Sequence, residues 1–189
     1  MNSKRNLIIG IAALVVAVAA AVVAYQLLSG NAELAPPHAP GQTQPQQQSP
    51  AVDFTVEGYD GSTVSFSSIE GPAVLNFWTT WCPSCTRMMP DLEALYQEFG
   101  EEVTFMMINL VGSRGETPLR SMAYIEDRGY TFPVYFDTER EAARAFGVHG
   151  IPHTVFIDQN GNTTEVVGQR PQVHLRQYIE RIIDSPTNG

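Results

Sequence analysis

Both cysteines of the chain lie in one short motif, Trp81-Cys82-Pro83-Ser84-Cys85. An apolar run over residues 73–78 leads into the motif and is typical of a buried strand. Residues 84–99 follow with helical spacing, because their large apolar side chains fall on one broad face: Met88, Met89, Leu92, Leu95 and Phe99. The motif therefore lies where a strand turns into a helix.

The position of Cys82 at a helix start predicts a reactive thiol. Unpaired backbone N–H groups and the positive end of the helix dipole favour an anion there. An exposed thiol at that point should ionise more easily than a free cysteine, and the thiolate is the nucleophile. Cys85 follows one helical turn later and is close enough to close a disulfide with Cys82. The motif therefore indicates dithiol–disulfide exchange.

The residues around the motif resemble the thioredoxin superfamily. Residues 77–85, with Pro90 five residues after the second cysteine, form one matching segment, and residues 147–158 resemble the cis-proline loop and the strand after it. Within the superfamily, residues 51–184 look most like the TlpA-like extracytoplasmic oxidoreductases, which are usually tethered to a membrane. The resemblance implies an α/β thioredoxin-like fold: a central mixed sheet flanked by helices, an N-terminal β-hairpin extension and a central helix–strand insertion.

The resemblance also implies the roles of individual residues. Cys82 is expected to attack the substrate disulfide, and Cys85 to resolve the mixed disulfide that results. The Ile151–Pro152 bond is expected to be cis, which places the Ile151 backbone beside the cysteines as a platform for a substrate strand. The other expected substrate contacts come from the motif itself: Trp81, Pro83 and Ser84. Apart from the redox-active disulfide, neither a cofactor nor a metal is expected.

Two positions depart from the superfamily's pattern. Thioredoxin has a buried aspartate six residues before the first cysteine, where this chain has Asn76, which cannot accept a proton. TlpA-like members that serve cytochrome c maturation often carry a glutamate three residues after the second cysteine, where this chain has Met88. Water is therefore expected to take the Cys85 proton, and the assignment to cytochrome c maturation is weakened.

The N-terminal residues predict export. Lys4 and Arg5 precede an uncharged apolar stretch over residues 7–24, which as a helix approaches the roughly 30 Å hydrocarbon core of a bilayer. Basic residues on the short side place that side in the cytoplasm and the rest of the chain outside. We expect residues 1–28 to be a transmembrane anchor in the cell membrane. A cleaved signal peptide, which would give a secreted protein, is the alternative.

Composition divides the remainder of the chain. Residues 29–50 contain five prolines and five glutamines and predict a semi-extended linker, with a coil span on the order of 25 Å. Residues 51–189 form the predicted thioredoxin-like domain, which carries nine arginines, no lysine and nineteen carboxylates. Nucleic acid is excluded as an expected partner because phosphate binding needs a basic face.

Periodicity and turn signals predict the remaining elements of the domain. They are a hairpin over 54–66 with an Asp-Gly turn, a helical turn at 67–71, a strand over 103–110, a helix over 118–128 with Leu119, Met122 and Ile125 inward, a strand over 132–136, a capped helix over 138–146 with Ala142, Ala145 and Phe146 inward, strands over 153–157 and 163–167 joined by an Asn-Gly turn, and a helix over 172–183.

The leading functional prediction is an extracytoplasmic protein-disulfide oxidoreductase, most simply a reductase of exported proteins. Its electrons would come from a transmembrane donor, and apocytochrome c is among the candidate substrates. One alternative is a thiol peroxidase, since Thr79 lies three residues before Cys82 as in peroxiredoxins, although Leu75 replaces their proline. Another is a copper-handling protein, if His153 approaches the cysteines. An ordinary hydrogen-bonded or exposed side chain is the simpler expectation for His149 and His153.

Overall fold

The structure is a computed structural model and describes residues 53–187 together with Val16. The chain divides into two units, residues 1–42 and 43–189, and the predicted domain lies in the second. The predictions for the anchor and the linker fall outside the described residues, except that Val16 is helical and exposed. In the described part of the chain, no helix combines the length and apolar character needed to cross a bilayer.

The domain is built on a seven-stranded mixed sheet, as predicted. Its strands are β1 Thr55–Gly58, β2 Thr63–Ser65, β3 Ala73–Trp78, β4 Thr104–Asn109, β5 Val134–Phe136, β6 His153–Ile157 and β7 Thr163–Val167. In space they follow the order β2-β1-β5-β4-β3-β6-β7. The pairs β3–β4 and β4–β5 are parallel, and the remaining pairs are antiparallel. The N-terminal hairpin therefore joins the sheet through β5, the strand of the central insertion.

Helices cover both faces of this sheet. They are α1 Pro83–Phe99, α2 Pro118–Arg128, α3 Glu141–Ala145 and α4 Gln172–Ile183, with a short 3₁₀ helix over Phe66–Ser68. Side chains of α1, α2 and α4 share one core with Val74 and Trp78 of β3. Side chains of α3 and the N-terminal hairpin share the other core with Leu75 and Phe77. Alternate residues of the fully buried central strand thus serve two cores, and both cysteines belong to the first.

The helix after the motif follows its sequence pattern closely. Pro83 occupies its first position, where the missing N–H costs nothing, and Cys82 is the N-cap. Met88 and Leu92 are fully buried in the first core, whereas Phe99 is half-buried at the helix end. Met88, which stands where some relatives have a glutamate, is therefore an apolar residue of the core.

The predicted helix over 138–146 is wrong in its extent, because α3 covers only Glu141–Ala145. The Asp137 carboxylate accepts hydrogen bonds from Ala142 N and Ala143 N, so the cap comes from a residue ahead of the predicted start. Arg140, which lies between Asp137 and the first residue of α3, has a φ of 57°. This left-handed conformation cannot continue a helix, so α3 cannot begin before Glu141. The inward residues also shift, since Ala143 is buried and Ala145 is only half-buried.

The predicted inward position of Leu119 is also wrong, since its side chain is 75% exposed. The bounds of α2 agree with the prediction, but its buried residues are Ser121 and Ile125. At 100° per residue, Leu119 lies about 200° around the helix from Ser121, on the solvent side. The strand predicted over 132–136 begins later, at Val134, because Pro133 has no N–H to donate to the sheet. The helical turn begins one residue earlier than predicted, at Phe66.

Candidate active site

Cys82 and Cys85 form a disulfide at the N-terminus of α1, with their Cα atoms 5.3 Å apart. Strand β3 ends at Trp78, and a short turn brings Cys82 to the helix cap. The Cys82 sulfur accepts a hydrogen bond from Cys85 N at 3.2 Å and lies 3.4 Å from Ser84 Oγ. An N–H group and a hydroxyl are therefore already directed at the sulfur on which negative charge would develop.

The cysteines are less accessible than the sequence indicated. In this disulfide form Cys82 is 4% exposed and Cys85 is 1% exposed. One cause is the neighbouring loop, because the Ile151 carbonyl oxygen lies 3.8 Å from the Cys82 sulfur. The prediction of an exposed first cysteine is therefore wrong for the disulfide form, in which Cys82 is buried.

The loop that covers the disulfide contains the Ile151–Pro152 bond, which is cis as predicted. Pro152 O accepts a hydrogen bond from Gly168 N at 2.7 Å, which fastens this loop to the residue after β7. Ile151 itself is half-buried and contacts both cores. Its carbonyl has no backbone N–H partner among the described residues, so its hydrogen-bonding capacity remains open beside Cys82.

Trp81 is held by residues 111–117, a loop that was not predicted to lie at the site. Its indole Nε1 donates a hydrogen bond to Ser113 O at 3.0 Å, and the guanidinium carbon of Arg114 lies 4.6 Å from the ring centroid. The ring is therefore fixed at the edge of the disulfide by one hydrogen bond and one cation–π contact.

Glu116, in the same loop, is a buried residue that sequence reasoning missed. It is 1% exposed, and its carboxylate accepts hydrogen bonds from Thr80 N at 3.0 Å, Thr80 Oγ1 at 2.6 Å and Asn109 Nδ2 at 2.8 Å. Thr80 is two residues before Cys82, so Glu116 ties the loop to the start of the motif. No local pattern marks this glutamate, because Thr80 is 36 residues away along the chain.

Asn76 occupies the place where thioredoxin has its aspartate, and it is fully buried. It lies on β3 with the same orientation as Trp78, toward the core that contains the cysteines. Its Nδ2 donates a hydrogen bond to Thr154 Oγ1 at 2.8 Å, whereas its Oδ1 has no partner among the described residues. An uncharged amide with an open acceptor therefore stands where the superfamily has a titrating carboxyl.

The histidine that could have supported metal handling lies on the other side of the sheet. His153 Nε2 is 2.9 Å from Glu165 Oε2, and its ring packs edge-on against Phe77 in the second core. It is buried and paired, as the simpler expectation held. Among the described residues, no group of three or more His, Cys, Asp and Glu side chains could hold a metal ion. The copper-handling alternative thus loses the residue on which it depended.

A pocket of about 150 Å³ opens beside the disulfide. It lies between the Trp81 ring and the Gly150–Ile151 backbone, and His149 and Arg140 line its wall. A side chain of a polypeptide that reaches Cys82 could enter this pocket. Of the predicted substrate contacts, Trp81 and Ile151 line this pocket; Pro83 is exposed and Ser84 half-buried at the helix start.

The sequence model of the AhpC/TSA family matches residues 47–166 of this chain. Among curated proteins, the chain is similar to the thiol-disulfide oxidoreductase ResA of Geobacillus thermodenitrificans, with 33% identity over 71% of this chain and 76% of that protein. The ResA of Halalkalibacterium halodurans is 31% identical over 70% of this chain and 74% of that protein.

Among solved structures, the chain is similar in fold to DsbF of MTB and to a thiol:disulfide interchange protein. DsbF of MTB, in a structure of its mixed oxidized and reduced forms, has a TM-score of 0.63 and 27% identity, and covers 69% of this chain and 96% of its own. A thiol:disulfide interchange protein of Chlorobium tepidum has a TM-score of 0.62 and 26% identity, and covers 76% of this chain and 99% of its own.

Proposed function

The chain belongs to the AhpC/TSA family of thioredoxin-fold proteins, and from that premise we propose that it reduces disulfides of exported proteins outside the cytoplasm. Its curated relatives are thiol–disulfide oxidoreductases, and the chain is a protein-disulfide oxidoreductase of this kind. The observation that carries the proposal is the Cys82–Cys85 disulfide at a helix N-terminus, with the Ile151 carbonyl 3.8 Å from Cys82.

The reaction begins with the reduced pair. The Cys82 thiolate attacks one sulfur of the substrate disulfide, forms a mixed disulfide and releases the other substrate sulfur as a thiolate, which takes a proton. Cys85 then loses its proton and attacks the Cys82 sulfur, which releases the second substrate thiol. Two electrons pass from the enzyme to the substrate, and the Cys82–Cys85 disulfide is left.

The surroundings of Cys82 support its role as the attacking thiol. Cys85 N and Ser84 Oγ, both directed at its sulfur in the disulfide form, can donate to the thiolate, and the helix N-terminus favours a negative charge. Cys85 has no such position at the cap and is the more deeply buried residue of the two, at 1% exposure against 4% for Cys82. Since Asn76 has no proton to exchange, the Cys85 proton leaves to water.

The substrate would lie across the Ile151 backbone. The open carbonyl can accept a hydrogen bond from a substrate N–H, which aligns an extended segment with Cys82. Trp81 would contact the same substrate segment from the pocket, and Pro83 and Ser84 would contact it from the helix start beside Cys82. This arrangement would select extended polypeptide segments around a disulfide over small disulfides.

Export is itself a proposal and rests on the apolar residues 7–24 and the basic residues before them. In an oxidising compartment a reductant has to be supplied with electrons. A transmembrane electron donor is therefore part of the proposal, and residues 29–50 would let the domain reach both donor and substrate. Apocytochrome c is one candidate substrate among exported proteins, although Met88 stands where members dedicated to it often have a glutamate.

Trapping tests the mechanism. The full-length Cys85→Ser variant should accumulate mixed disulfides with proteins from the producing cells, because the resolving thiol is missing. Cys82→Ser and the double variant should accumulate none. Equal trapping by the two single variants would contradict the assignment of Cys82 as the nucleophile.

The direction of exchange is tested by the reduction potential of the Cys82–Cys85 pair, measured against glutathione. A reductase should have a potential more negative than about −180 mV, the value of protein disulfide isomerase. A potential near the roughly −120 mV of DsbA would make the protein an oxidant.

The anchor is tested by fractionation. The full chain should stay with membranes after a high-salt wash, and a reporter fused after Pro50 should be active outside the cytoplasm. A soluble mature form that begins near Tyr25 would show cleavage and overturn the anchor.

The peroxidase alternative depended on Thr79. This residue is fully buried, and its hydroxyl makes no hydrogen bond with Cys82 or any other described residue. Consumption of hydrogen peroxide by the reduced protein would distinguish this activity, and a turnover rate far below that for protein disulfides is expected.

A further inference from the structure

Four arginines contact residues that border the candidate active site: Arg87, Arg114, Arg140 and Arg170, here called the arginine rim. Arg114 lies over the Trp81 ring, and Arg140 lines the pocket beside Ile151.

The other two rim residues lie on the far side of the cis-proline loop. Arg87 donates from Nε to Gln169 Oε1 at 3.1 Å, and Arg170 donates from NH1 to Gln169 O at 3.0 Å. Gln169 directly follows Gly168, whose N–H is bound to the carbonyl of Pro152. Two rim residues therefore border Trp81 and the pocket, and the other two are linked through Gln169 to the cis-proline loop.

The rim is not neutralised by ion pairs. Within residues 53–187, the arginine ion pairs are Arg128–Asp127 and Arg176–Glu98, and neither involves the rim. Glu116 and Asp137 are buried and bound to N–H groups, Glu116 at Thr80 and Asp137 at the start of α3, although Asp137 still interacts electrostatically with Arg140. Glu139, directly before Arg140, and Asp91, one helical turn after Arg87, form no ion pair with the rim.

This placement contrasts with the charge of the whole domain. Residues 51–189 carry nine arginines against nineteen carboxylates, and still four of the nine arginines border one small surface. Exposed charges of one sign around a contact site raise the encounter rate with partners of opposite sign and lower it for partners of like sign. A partner that approaches this surface meets positive charge on an otherwise acidic domain.

We propose that the arginine rim recognises protein substrates whose disulfide is flanked by aspartate or glutamate, an inference that rests on the proposed reductase function. The pocket beside Ile151 gives one such carboxylate a place next to Arg140, while the reacting sulfur reaches Cys82. Arg114, Arg87 and Arg170 act on carboxylates further along the bound segment. An anionic membrane surface is the competing partner, but Arg114 and Arg140 contact Trp81 and the pocket beside Ile151, where a substrate segment has to lie.

The test uses three cyclic disulfide peptides that differ only beside their cysteines, where they carry glutamate, glutamine or lysine. The full-length protein, reduced beforehand, reacts with each peptide, and second-order rate constants are measured at 20 mM and 300 mM NaCl. We expect the glutamate peptide to react about tenfold faster than the lysine peptide at 20 mM, with glutamine between them. The difference should shrink to about twofold at 300 mM, because salt screens exposed charges.

Variants locate the effect. In Arg114→Gln/Arg140→Gln, and separately in Arg87→Gln/Arg170→Gln, the glutamate-to-lysine rate ratio should fall to about threefold or less. The matched control, Arg120→Gln/Arg144→Gln, removes the same charge from positions outside the rim and should keep the tenfold ratio. Melting temperatures of all three variants show whether each is folded.

Equal rates for the three peptides at low salt, with the glutamine peptide readily reduced, would overturn the rim's role and leave the proposed function intact. If none of the peptides is reduced, the proposed function fails and the inference fails with it. If the rim variants lose sedimentation with phosphatidylglycerol vesicles but keep the peptide preference of the unmodified protein, the rim belongs to a membrane surface, and the substrate proposal is wrong.

Discussion

The carboxylate of Glu116 accepts both the backbone N–H and the hydroxyl of Thr80, two residues before the first cysteine. Asn109, at the end of β4, donates to the same carboxylate. The residue after Thr80 is Trp81, whose indole is bound to Ser113 in the loop that also contains Glu116. One buried carboxylate therefore joins the end of a central strand, the insertion loop and the approach to the redox pair.

Replacing Glu116 should separate the effects of charge and hydrogen bonding. Glu116→Ala leaves the buried Asn109 amide and the half-buried Thr80 N–H and hydroxyl without their acceptor and should cost about 2 kcal/mol or more in the free energy of unfolding. Glu116→Gln should cost much less, since its oxygen can accept from Thr80 N and Asn109 Nδ2 while its amide donates to the Thr80 hydroxyl. Urea denaturation measures both changes.

The same pair of variants tests whether Glu116 positions the motif. The rate of protein-disulfide reduction should fall in Glu116→Ala, under conditions where the variant is folded, and should be largely restored in Glu116→Gln. Glu126→Ala removes an exposed glutamate of α2 and is the control, with stability and rate expected near those of the unmodified protein. Equal effects of the alanine and glutamine changes would show that the hydrogen bonds to Thr80 are not the cause.

The first cysteine should be the more reactive one in the reduced protein. Iodoacetamide should label Cys82 before Cys85, with a pH midpoint below the value of about 8.5 for free cysteine, since an N–H group, a hydroxyl and the helix N-terminus face its sulfur. Mass spectrometry of peptides after timed quenching measures the order. Preferential labelling of Cys85 would contradict the assignment.

Ser84 should contribute to that reactivity. Ser84→Ala removes the hydroxyl that lies 3.4 Å from the Cys82 sulfur and should slow alkylation near pH 6 about two- to fivefold. Thr86→Val is the matched control, because the Thr86 hydroxyl is in the same helical turn but donates to Pro83 O. A similar loss in both variants would indicate a change in the helix start instead of a lost contact with the sulfur.

A substitution at Asn76 tests whether the fold tolerates a buried carboxyl at the position where thioredoxin has an aspartate. Asn76→Asp places a carboxyl at a fully buried position, where burial disfavours its charged form. The new carboxyl should lower the free energy of unfolding at pH 7 by about 2 kcal/mol or more, with a smaller loss at pH 5. Chemical denaturation at the two pH values measures this difference. An equal loss at both would mean that the substitution acts by shape and not by charge.

The lowered pKa of Glu93 predicts how the free energy of unfolding changes with pH. Burial acts to raise the pKa of Glu93, but hydrogen bonds from Thr131, Gln97 and Phe132 outweigh it and hold the pKa below its usual value. Because the folded state binds this proton less tightly than the unfolded chain, the stabilisation is present above the unfolded pKa of about 4.3 and is lost as pH falls through the folded pKa.

Glu93→Gln should therefore destabilise the domain by about 1–2 kcal/mol at pH 7 and by less at pH 4. Urea denaturation at the two pH values measures the difference. Glu101→Gln, which removes a glutamate from the exposed turn after α1, serves as the control. A constant difference between Glu93→Gln and the unmodified protein would mean that its charge does not contribute.

Local information in the chain determined most of the element positions. The bounds of α2 and α4, and of β6 and β7, agree with the prediction because periodic apolar residues and turn residues lie within a few positions of one another. Gly61 and Gly161 adopt the positive φ that their Asp-Gly and Asn-Gly turns require. The strand–helix corner at Cys82 follows from the same kind of local signal, with Pro83 at the first helical position.

Tertiary structure alone decided which distant residues surround that corner. The side of the sheet that His153 faces depends on its pairing with Phe77, which forms when β6 joins β3. Glu116 meets Thr80, and the arginine rim assembles from residues as far apart as Arg87 and Arg170. These relationships could not be predicted, because a hydrogen bond or a shared surface between residues tens of positions apart leaves no periodic pattern in the sequence and exists only once the sheet has brought the loops together.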